Sequence, residues 1–264
     1  MTGAVHPTAQ AGWDGEGAED YERGRPGYPR AAIELIGSEL GVGREGPNRI
    51  LDLAAGTGKL TRELPILGAE VIAVEPVAGM RERFAATVPG IELRAGTAEA
   101  IPLPDAAVHA VTVAQAFHWF DVPAAAAEIA RVLDPTGGLV IVRNDWAGET
   151  QWSPLVRDLL RKRVRRPETH GRDWQAELDA TGLFEPFQRR SIPNPQRTDL
   201  AGLRHQIASM SFVAALPDAE RTGLLDDVEA LLRDQGLSDG QTFEAPSQTE
   251  VRWARRRPVK GGSG

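Results

Sequence analysis

Cysteine is missing from this chain of 264 residues, which excludes disulfides, thiolate metal ligands and a cysteine nucleophile. Long apolar runs are missing too, and no stretch approaches the roughly 18–20 residues that a membrane-spanning helix needs. Positive charge is not in excess, since 30 Lys and Arg face 37 Asp and Glu and give a formal net charge of −7. The sequence therefore lacks the basic footprint of a nucleic-acid-binding protein, and we expect neither nucleic acid nor membrane among its partners.

What remains is the composition of a soluble enzyme, with 41% hydrophobic and 25% charged residues. Residues 1–20 lack the basic start and the apolar run of a secretory signal, so we expect a cytoplasmic protein. A chain of this length can bury one large core, which favours one domain with an elaboration over two independent domains.

Residues 49–145 alternate between short apolar runs and longer helical patterns. Strands are predicted at RILDLA, AEVIAVE, GIELRAG, AVHAVTVAQAF and GGLVIVRND. Helices are predicted at PRAAIELIGSEL before the first strand, and then at KLTRELPIL, AGMRERFAATV and VPAAAAEIARVL. This alternation predicts βαβ units, and therefore an α/β domain whose parallel sheet carries helices on both faces.

The pattern changes after residue 145. A basic helix is predicted at 153–166, two further helices at 199–216 and 218–234, and a closing strand at 249–257. We therefore divide the chain into an N-terminal cap segment (1–28), an α/β core (29–145), substrate-side helices and last strands of the same domain (146–260), and a tail (261–264).

A glycine turn with nearby acids, in RILDLAAGTGKLTREL (49–64), carries the first functional signal. Gly56 and Gly58 follow the first strand, at the sheet edge where parallel α/β folds bind ligands. Glu75 ends the second strand 19 positions after Gly56, and a carboxylate there can accept hydrogen bonds from both hydroxyls of a ribose. The position and the chemistry predict a nucleoside ligand.

The residues around the turn argue against a dinucleotide. The G-x-G-x-x-G fingerprint needs a third glycine, and Thr61 stands in its place. Asp52, just before the turn, would repel a pyrophosphate and attract an ammonium group. A ligand with a ribose, an amine and no phosphate fits both observations.

This combination resembles the class I S-adenosylmethionine (SAM)-dependent methyltransferases, whose first motif reads D-x-G-x-G-x-G. Here the motif is D-L-A-A-G-T-G, with Ala54 in place of the first glycine. The stretches VIAVEPVAGM and EIARVLDPTGGLVIVRND are similar to later parts of the family pattern. YERGRPGYP (21–29) and the closing TEVRWARRR resemble a small-molecule subgroup that includes trans-aconitate methyltransferases. The resemblance implies SAM as cofactor and a Rossmann-like, mostly parallel seven-stranded sheet with a helical addition on the substrate side.

The resemblance also implies a cofactor-binding set, which comprises Asp52, Ala54, Gly56, Gly58, Glu75, Pro76, Thr97, Ala98, Gln115, Tyr21 and Arg25. In this set the glycine turn and Asp52 would hold the amino-acid end, Glu75 the ribose, and Thr97 the adenine edge. Residues 21–28 would cover the cofactor. The alternative is that these residues form a proline-rich loop that only packs on the domain. His109 stands where relatives carry an acid, and we expect it to be structural.

The candidate substrate residues are Tyr28, Trp119, Asn144 and Trp146. His118, in AFHWFD (116–121), is a candidate general base or orienting residue, because a histidine titrates near neutral pH. The alternative is that His118 and Trp119 only anchor this loop. The basic helix could steer an anionic acceptor or could simply be a solvated face. No metal is expected, because Gln115 stands where a metal-binding acid would follow the fourth strand.

The leading hypothesis is methyl transfer from SAM to an O, N or C atom of a small molecule, in specialised metabolism. The sulfonium already activates the methyl group, so no strong acid–base pair is required. The alternatives are a SAM-fold enzyme that no longer transfers methyl, a non-catalytic partner subunit, and a dinucleotide-dependent oxidoreductase. We expect a small-molecule acceptor as partner, and a monomer or homodimer.

Overall fold

The computed structural model describes residues 22–43, 48–148, 150–164 and 172–258. Its strands are β1 (Arg49–Leu53), β2 (Glu70–Val74), β3 (Glu92–Arg94), β4 (Val108–Ala114), β5 (Leu133–Trp146), β6 (Gln188–Pro193), β7 (Gln196–Thr198), β8 (Phe243–Ala245) and β9 (Ser247–Arg255). Its α-helices are α1 (Arg30–Leu40), α2 (Ala78–Thr87), α3 (Val122–Val132), α4 (Ser153–Arg163), α5 (Trp174–Ala180), α6 (Leu200–Ala208), α7 (Ser211–Ala214) and α8 (Asp218–Asp234). Two 3₁₀-helices cover Leu64–Leu67 and Phe117–Trp119.

Seven strands form one sheet in the order β3-β2-β1-β4-β5-β9-β6. The pairs from β3 to β5 are parallel, and β9 runs antiparallel to both of its neighbours. β7 and β8 form a separate two-stranded sheet. The predicted fold class, a Rossmann-like sheet that is mostly parallel, is confirmed.

Helices cover both faces of the sheet because its central strands are apolar on both sides. Leu51 and Leu53 of β1 pack on the face that carries α3, with Ile129 of that helix in the same cluster. Ile50, which precedes Leu51, points the other way and packs with Ile33 of α1. Successive side chains of a strand alternate between faces, so this short apolar strand contributes to two cores at once.

The segment after the glycine turn differs from the prediction. A helix was expected over KLTRELPIL (59–67), but residues 59–63 form turns and only Leu64–Leu67 is helical, as a 3₁₀-helix. The backbone bonds here mostly span three residues, as from Glu63 N–H to the Leu60 carbonyl at 2.9 Å. Pro65 explains the difference, because it has no N–H to donate and its ring clashes with the carbonyl four residues earlier.

The helices that follow the sheet form a third apolar cluster with its own core. Val156 and Leu160 of α4, Leu203 of α6 and Val228 of α8 are buried in this cluster. α8 has the bounds that the sequence predicts. α4 begins where predicted but ends at Arg163, because Val164 is already extended. The helix predicted over 199–216 is divided into α6 and α7. None of the described helices is long and apolar enough to cross a membrane. The division of the chain into cap, core, substrate-side region and tail stays a prediction.

Candidate functional site

β1 and β4 lie side by side at the point where the strand order reverses, and in such sheets ligands bind beyond the carboxyl ends of these two strands. Ala54 follows β1 with φ of 57°, and Gln115 follows β4 with φ of 60°. Non-glycine residues pay about 1–2 kcal/mol for this left-handed conformation. Two such residues flank the switch point, which is where backbone strain is expected at a functional site.

A cavity of about 520 Å³ opens at this edge of the sheet. One side, which we call the sheet wall, consists of Ala54, Gly56, Glu75, Pro76, Thr97 and Ala98. Another side, which we call the helix wall, consists of Trp146, Arg157, Leu160, Met210 and Phe212. Between the two, the cavity is lined by Gln115, His118, Trp119 and Asn144.

Glu75 is the charged residue of the sheet wall and is only 4% exposed. One of its carboxylate oxygens accepts a hydrogen bond from Gly56 N–H and the other from Val77 N–H, each at 2.8 Å. Burial raises the pKa of Glu75 to about 7, although the two backbone hydrogen bonds lower it. The carboxylate is therefore fixed in position and keeps lone pairs for a ligand in the cavity.

Asp52 does not line the cavity, and its predicted part in holding the amino-acid end of the ligand stays a prediction. Its side chain is fully buried, and it accepts hydrogen bonds from Thr61 Oγ1 at 2.5 Å and Thr112 Oγ1 at 3.0 Å. Burial raises the pKa of Asp52 to about 6, against the two hydroxyl bonds that lower it. Thr61, in place of the third glycine, therefore ties the turn to the end of β1.

The two glycines of the turn have different surroundings. Gly56 lines the cavity at φ of 59°, and a Cβ there would meet nothing within 4 Å. Gly58 does not line the cavity, and its predicted place in the binding set stays a prediction. A Cβ on Gly58 would lie 2.4 Å from Val88 Cγ2 and 2.9 Å from the Phe84 ring, so this glycine allows α2 to pack closely against the turn.

Thr97, Ala98 and Pro76 line the cavity on the far side of Glu75, as the resemblance implies. The hydroxyl of Thr97 is buried and has no hydrogen-bond partner among the described residues. An unpaired buried hydroxyl is costly, and a ligand group in the cavity would satisfy it.

Residues 22–28 of the cap segment are bonded to the turn and to α6. Glu22 accepts a hydrogen bond from Thr57 Oγ1 at 2.7 Å and pairs with Arg62 at 2.8 Å, while Lys59 Nζ donates to its carbonyl. Arg25 lines the cavity and donates to the Ser209 carbonyl at 3.0 Å. These contacts hold the cap segment over the glycine turn, and nothing in the sequence pattern marks Glu22 for this role.

The two cap tyrosines have different outcomes. Tyr28, a predicted substrate residue, does not line the cavity, because its ring is buried with Ile33 and Ile36 of α1. Tyr21 lies outside the described residues, so its predicted contact with the cofactor stays a prediction.

Asn144 connects the cap segment to the end of β5. Its Nδ2 donates to the Pro26 and Gly27 carbonyls at 3.2 and 3.1 Å, and its Oδ1 accepts from Thr249 Oγ1 at 2.6 Å. The sequence places the end of the fifth strand at Asp145, but β9 continues the pairing to Trp146.

Asp145 pairs with Arg143 at 3.2 Å, two positions earlier on the same strand. In the described part of the chain no three His, Asp or Glu side chains are grouped to hold a metal ion, and the absence of a metal stays a prediction.

His109 pairs with Asp134 at 2.9 Å and with the Leu40 carbonyl at 2.8 Å, which is the structural role expected of it.

His118 and Trp119 stand on the 3₁₀-helix after β4, with ring centroids 4.6 Å apart, and both line the cavity. Trp146 also lines the cavity and meets Trp152 edge to face at 5.9 Å. The Trp146 indole N–H is buried and has no hydrogen-bond partner in the described chain. The cavity thus has aromatic side chains on two sides.

Several charged and polar cavity residues were predicted only as a region after β5 and not individually. They are Arg143, Asp145, Arg157, Arg172 and Gln206, together with Glu99 on the loop after Ala98. Arg172 illustrates why, because it donates to the Phe120 carbonyl from 52 positions away. Only Arg157 had a signal, as a member of the basic helix.

The fold and the site define a doubly wound α/β protein with its cavity at the switch point. Comparison with known proteins narrows this class. Residues 51–141 match the family described as a methyltransferase domain. An uncharacterised methyltransferase of Mycobacterium tuberculosis is 40% identical over 215 residues, which are 80% of this chain and 82% of that protein. The chain therefore belongs to the methyltransferase family.

Solved structures show the same fold. One from Anaeromyxobacter dehalogenans has a TM-score of 0.63 at 24% identity and covers 89% of this chain and 99% of its own. Phosphoethanolamine N-methyltransferase 2 of Haemonchus contortus, in complex with phosphomonomethylethanolamine and S-adenosylhomocysteine, has a TM-score of 0.53 at 16% identity. That match covers 92% of this chain and 57% of the Haemonchus chain. The resemblance to class I methyltransferases is confirmed at the level of family and fold.

Proposed function

We propose that this methyltransferase binds SAM against the sheet wall and transfers its methyl group to a small molecule held by the helix wall. The observation that carries the proposal is Glu75, a buried carboxylate fixed by two backbone N–H groups at the switch point of the sheet. That position suits two ribose hydroxyls, since hydrogen bonds to charged groups contribute about 1.5–3 kcal/mol each.

The other residues of the sheet wall fit the same ligand. Thr97 offers a buried hydroxyl without a partner where an adenine amine would lie. Gly56 leaves space beside the ribose, and Arg25 is placed to meet a carboxylate at the amino-acid end. Asp52 would act on that end through the turn and not by contact. The Haemonchus enzyme, which has the same fold, was solved with S-adenosylhomocysteine, which supports this choice of cofactor.

When bound, SAM supplies a methyl group that its sulfonium already activates for attack. The chain's own residues then have to orient the acceptor in line and keep water out. Gln115 is held for this by its Nε2, which donates to the Asn144 carbonyl at 2.9 Å. His118 lines the cavity after β4, where it can take a proton from an O or N nucleophile.

The shape of the site supports a small-molecule acceptor. The cavity is within the roughly 300–1,000 Å³ that is usual for small-ligand pockets, and the cofactor would take part of it. The cap segment is bonded across the turn and β5, which closes the approach for a macromolecule from that side. Membership of the trans-aconitate-type subgroup and a place in specialised metabolism remain proposals that rest on the two terminal stretches of sequence.

Thermal melting with SAM, S-adenosylhomocysteine and NAD tests the proposal. A ligand at one hundred times its dissociation constant adds about 2.7 kcal/mol to the unfolding free energy, which is roughly 5–10 °C for a chain of this size. We expect this shift with the two SAM-type ligands and none with NAD. A shift with NAD alone would indicate an oxidoreductase, and no shift at all would indicate a partner subunit.

A further inference from the structure

Arg157 differs from the other basic residues of α4. Arg161 and Lys162 pair with Asp158 of the same helix, at 3.5 and 2.7 Å, and Arg163 pairs with Asp227 of α8 at 2.8 Å. Arg157 lies on the side of the helix that lines the cavity and is half-buried. Among the residues that the structure describes, it makes no hydrogen bond and no ion pair.

The remaining arginines of the cavity are already engaged. Arg143 pairs with Asp145 at 3.2 Å, and Arg25 donates to the Ser209 carbonyl. Arg172 pairs with Glu177, which does not line the cavity. Because the proposed function places Arg25 at the carboxylate of the cofactor, Arg157 is the positive charge among the described cavity residues that is left for the acceptor.

Apolar side chains share the helix wall with Arg157. Leu160 follows it by one helical turn, and Met210 and Phe212 complete this part of the helix wall with Trp146. A guanidinium in partly desolvated surroundings binds a carboxylate or phosphate strongly, because its planar fork can donate two parallel hydrogen bonds. The apolar neighbours favour a ligand whose anionic group is attached to an apolar body.

We propose that Arg157 is the anion-binding residue of the acceptor subsite, and that the acceptor carries a carboxylate or phosphate group on an apolar body. This inference rests on the proposed function, because it places the acceptor opposite the bound cofactor. The helix wall would thus select an acceptor by its anionic group. The atom that receives the methyl group can belong to that group or to another part of the acceptor.

Binding of three small probes to protein saturated with S-adenosylhomocysteine tests the inference: 3-phenylpropionate, phenyl phosphate and the uncharged 3-phenylpropionamide. We expect at least one anion to bind about tenfold or more tighter than the amide, by calorimetry. Arg157→Gln should remove this preference and leave the amide unchanged, and Arg157→Lys should keep part of it. The tighter binder of 3-phenylpropionate and phenyl phosphate shows whether the subsite prefers a carboxylate or a phosphate.

Arg161→Gln is the matched control, because Arg161 is on the same helix and pairs with Asp158 at its exposed face. It should bind all three probes like the unchanged protein. Equal binding of the amide and the anions, no binding of any probe up to about 20 mM, or equal effects of the two Gln variants would overturn the inference.

Affinity for S-adenosylhomocysteine is measured first in every variant. This measurement distinguishes failure of the proposed function from failure of the role of Arg157. If the unchanged protein does not bind it, the proposed function fails. If it binds and shows no preference for an anion, only the role of Arg157 fails. If Arg157→Gln does not fold, Arg157→Lys is used instead, and its preference for the anions over the amide should be smaller than that of the unchanged protein.

Discussion

The sheet wall of the cavity is bonded into the central strands, whereas the helix wall belongs to a cluster of helices that follows the sheet. Glu75 and Asp52 are both buried and hydrogen-bonded to fixed backbone or hydroxyl groups. Trp146 and Arg157 of the helix wall line the cavity with polar groups that have no partner in the described chain, and the Thr97 hydroxyl of the sheet wall is also without one. We propose that the sheet wall binds the cofactor and that the helix wall determines which acceptor is used.

The largest effect is expected at Gly58, where the glycine turn beside the sheet wall packs against α2. Gly58→Ala should lower the free energy of unfolding by about 2–4 kcal/mol, because the new Cβ meets Val88 and the backbone has φ of 83°. Gly223→Ala, in α8 with open space around it, should raise that free energy by about 0.5–1 kcal/mol. Urea denaturation measures both variants.

Gly68→Ala separates packing from backbone strain. Gly68 has φ of 74° and nothing near its missing Cβ. Gly68→Ala should therefore lower the free energy of unfolding by only about 1–2 kcal/mol. If Gly58→Ala costs no more than Gly68→Ala, the close packing of α2 on the turn is not what requires Gly58.

The next effect concerns ligand affinity. Glu75→Gln should weaken binding of S-adenosylhomocysteine by about 30-fold or more, because two hydrogen bonds to a charged group become neutral ones. Glu92→Gln is the control, since that side chain is half-exposed and pairs with Arg94. Met210→Ala, on the helix wall, should leave this affinity nearly unchanged. Comparable losses in all three variants would remove the distinction between the walls.

The buried carboxyl of Glu75 also predicts a pH dependence. Its pKa is about 7 in the folded chain against an ordinary 4.5, so folding takes up a proton between these values and stability falls as pH rises through this window. The stability of Glu75→Gln relative to the unchanged protein should therefore increase from pH 4.5 to pH 7 and then level off. Denaturation at a series of pH values checks this, and a constant difference would mean that Glu75 is ionised throughout.

Ligand binding should lower the pKa of Glu75, whereas folding raises it. Ribose hydroxyls that donate to Glu75 favour its ionised form, so binding should release protons near pH 7 and tighten as pH rises from about 6 to 8. Calorimetry in buffers of different ionisation enthalpy measures the release. Glu75→Gln should show none of the release that this carboxyl causes.

The smallest effect is expected at Ala54. Its φ of 57° suits glycine better, so Ala54→Gly should change stability by about 0–1 kcal/mol in the favourable direction, after the entropy of the unfolded chain is counted. Ala126→Gly, inside α3, should instead cost about 1 kcal/mol or more. Equal losses at the two positions would show that the left-handed conformation at Ala54 is not strained.

Periodicity and turn residues were enough to predict the sheet and most helices. The bounds of α8 follow from its regular apolar spacing, and those of α1 from Pro29 and Gly41 at its ends. The helix after the glycine turn was predicted wrongly because apolar spacing over 59–67 outweighed Pro65, whose missing N–H decides the local structure.

The sheet wall was largely predictable because a motif sets both its residue types and its position at strand ends. Glu75, Gly56 and Thr97 lie at the cavity as expected, whereas Asp52 turns into the core, where two threonine hydroxyls are available. The helix wall was not predictable in detail. Its residues come from the end of β5, from α4 and from the segment between α6 and the end of α7, and only tertiary packing decides which side chains face the cavity.

Methyl transfer itself is the most direct test of the account. The protein is incubated with methyl-labelled SAM and a small-molecule extract of the source cells, and products are separated by mass. We predict label in a low-mass compound together with an equal amount of S-adenosylhomocysteine, and loss of both with Glu75→Gln at low SAM concentration. Label that stays in SAM, or that appears only in protein or nucleic acid, would contradict the account.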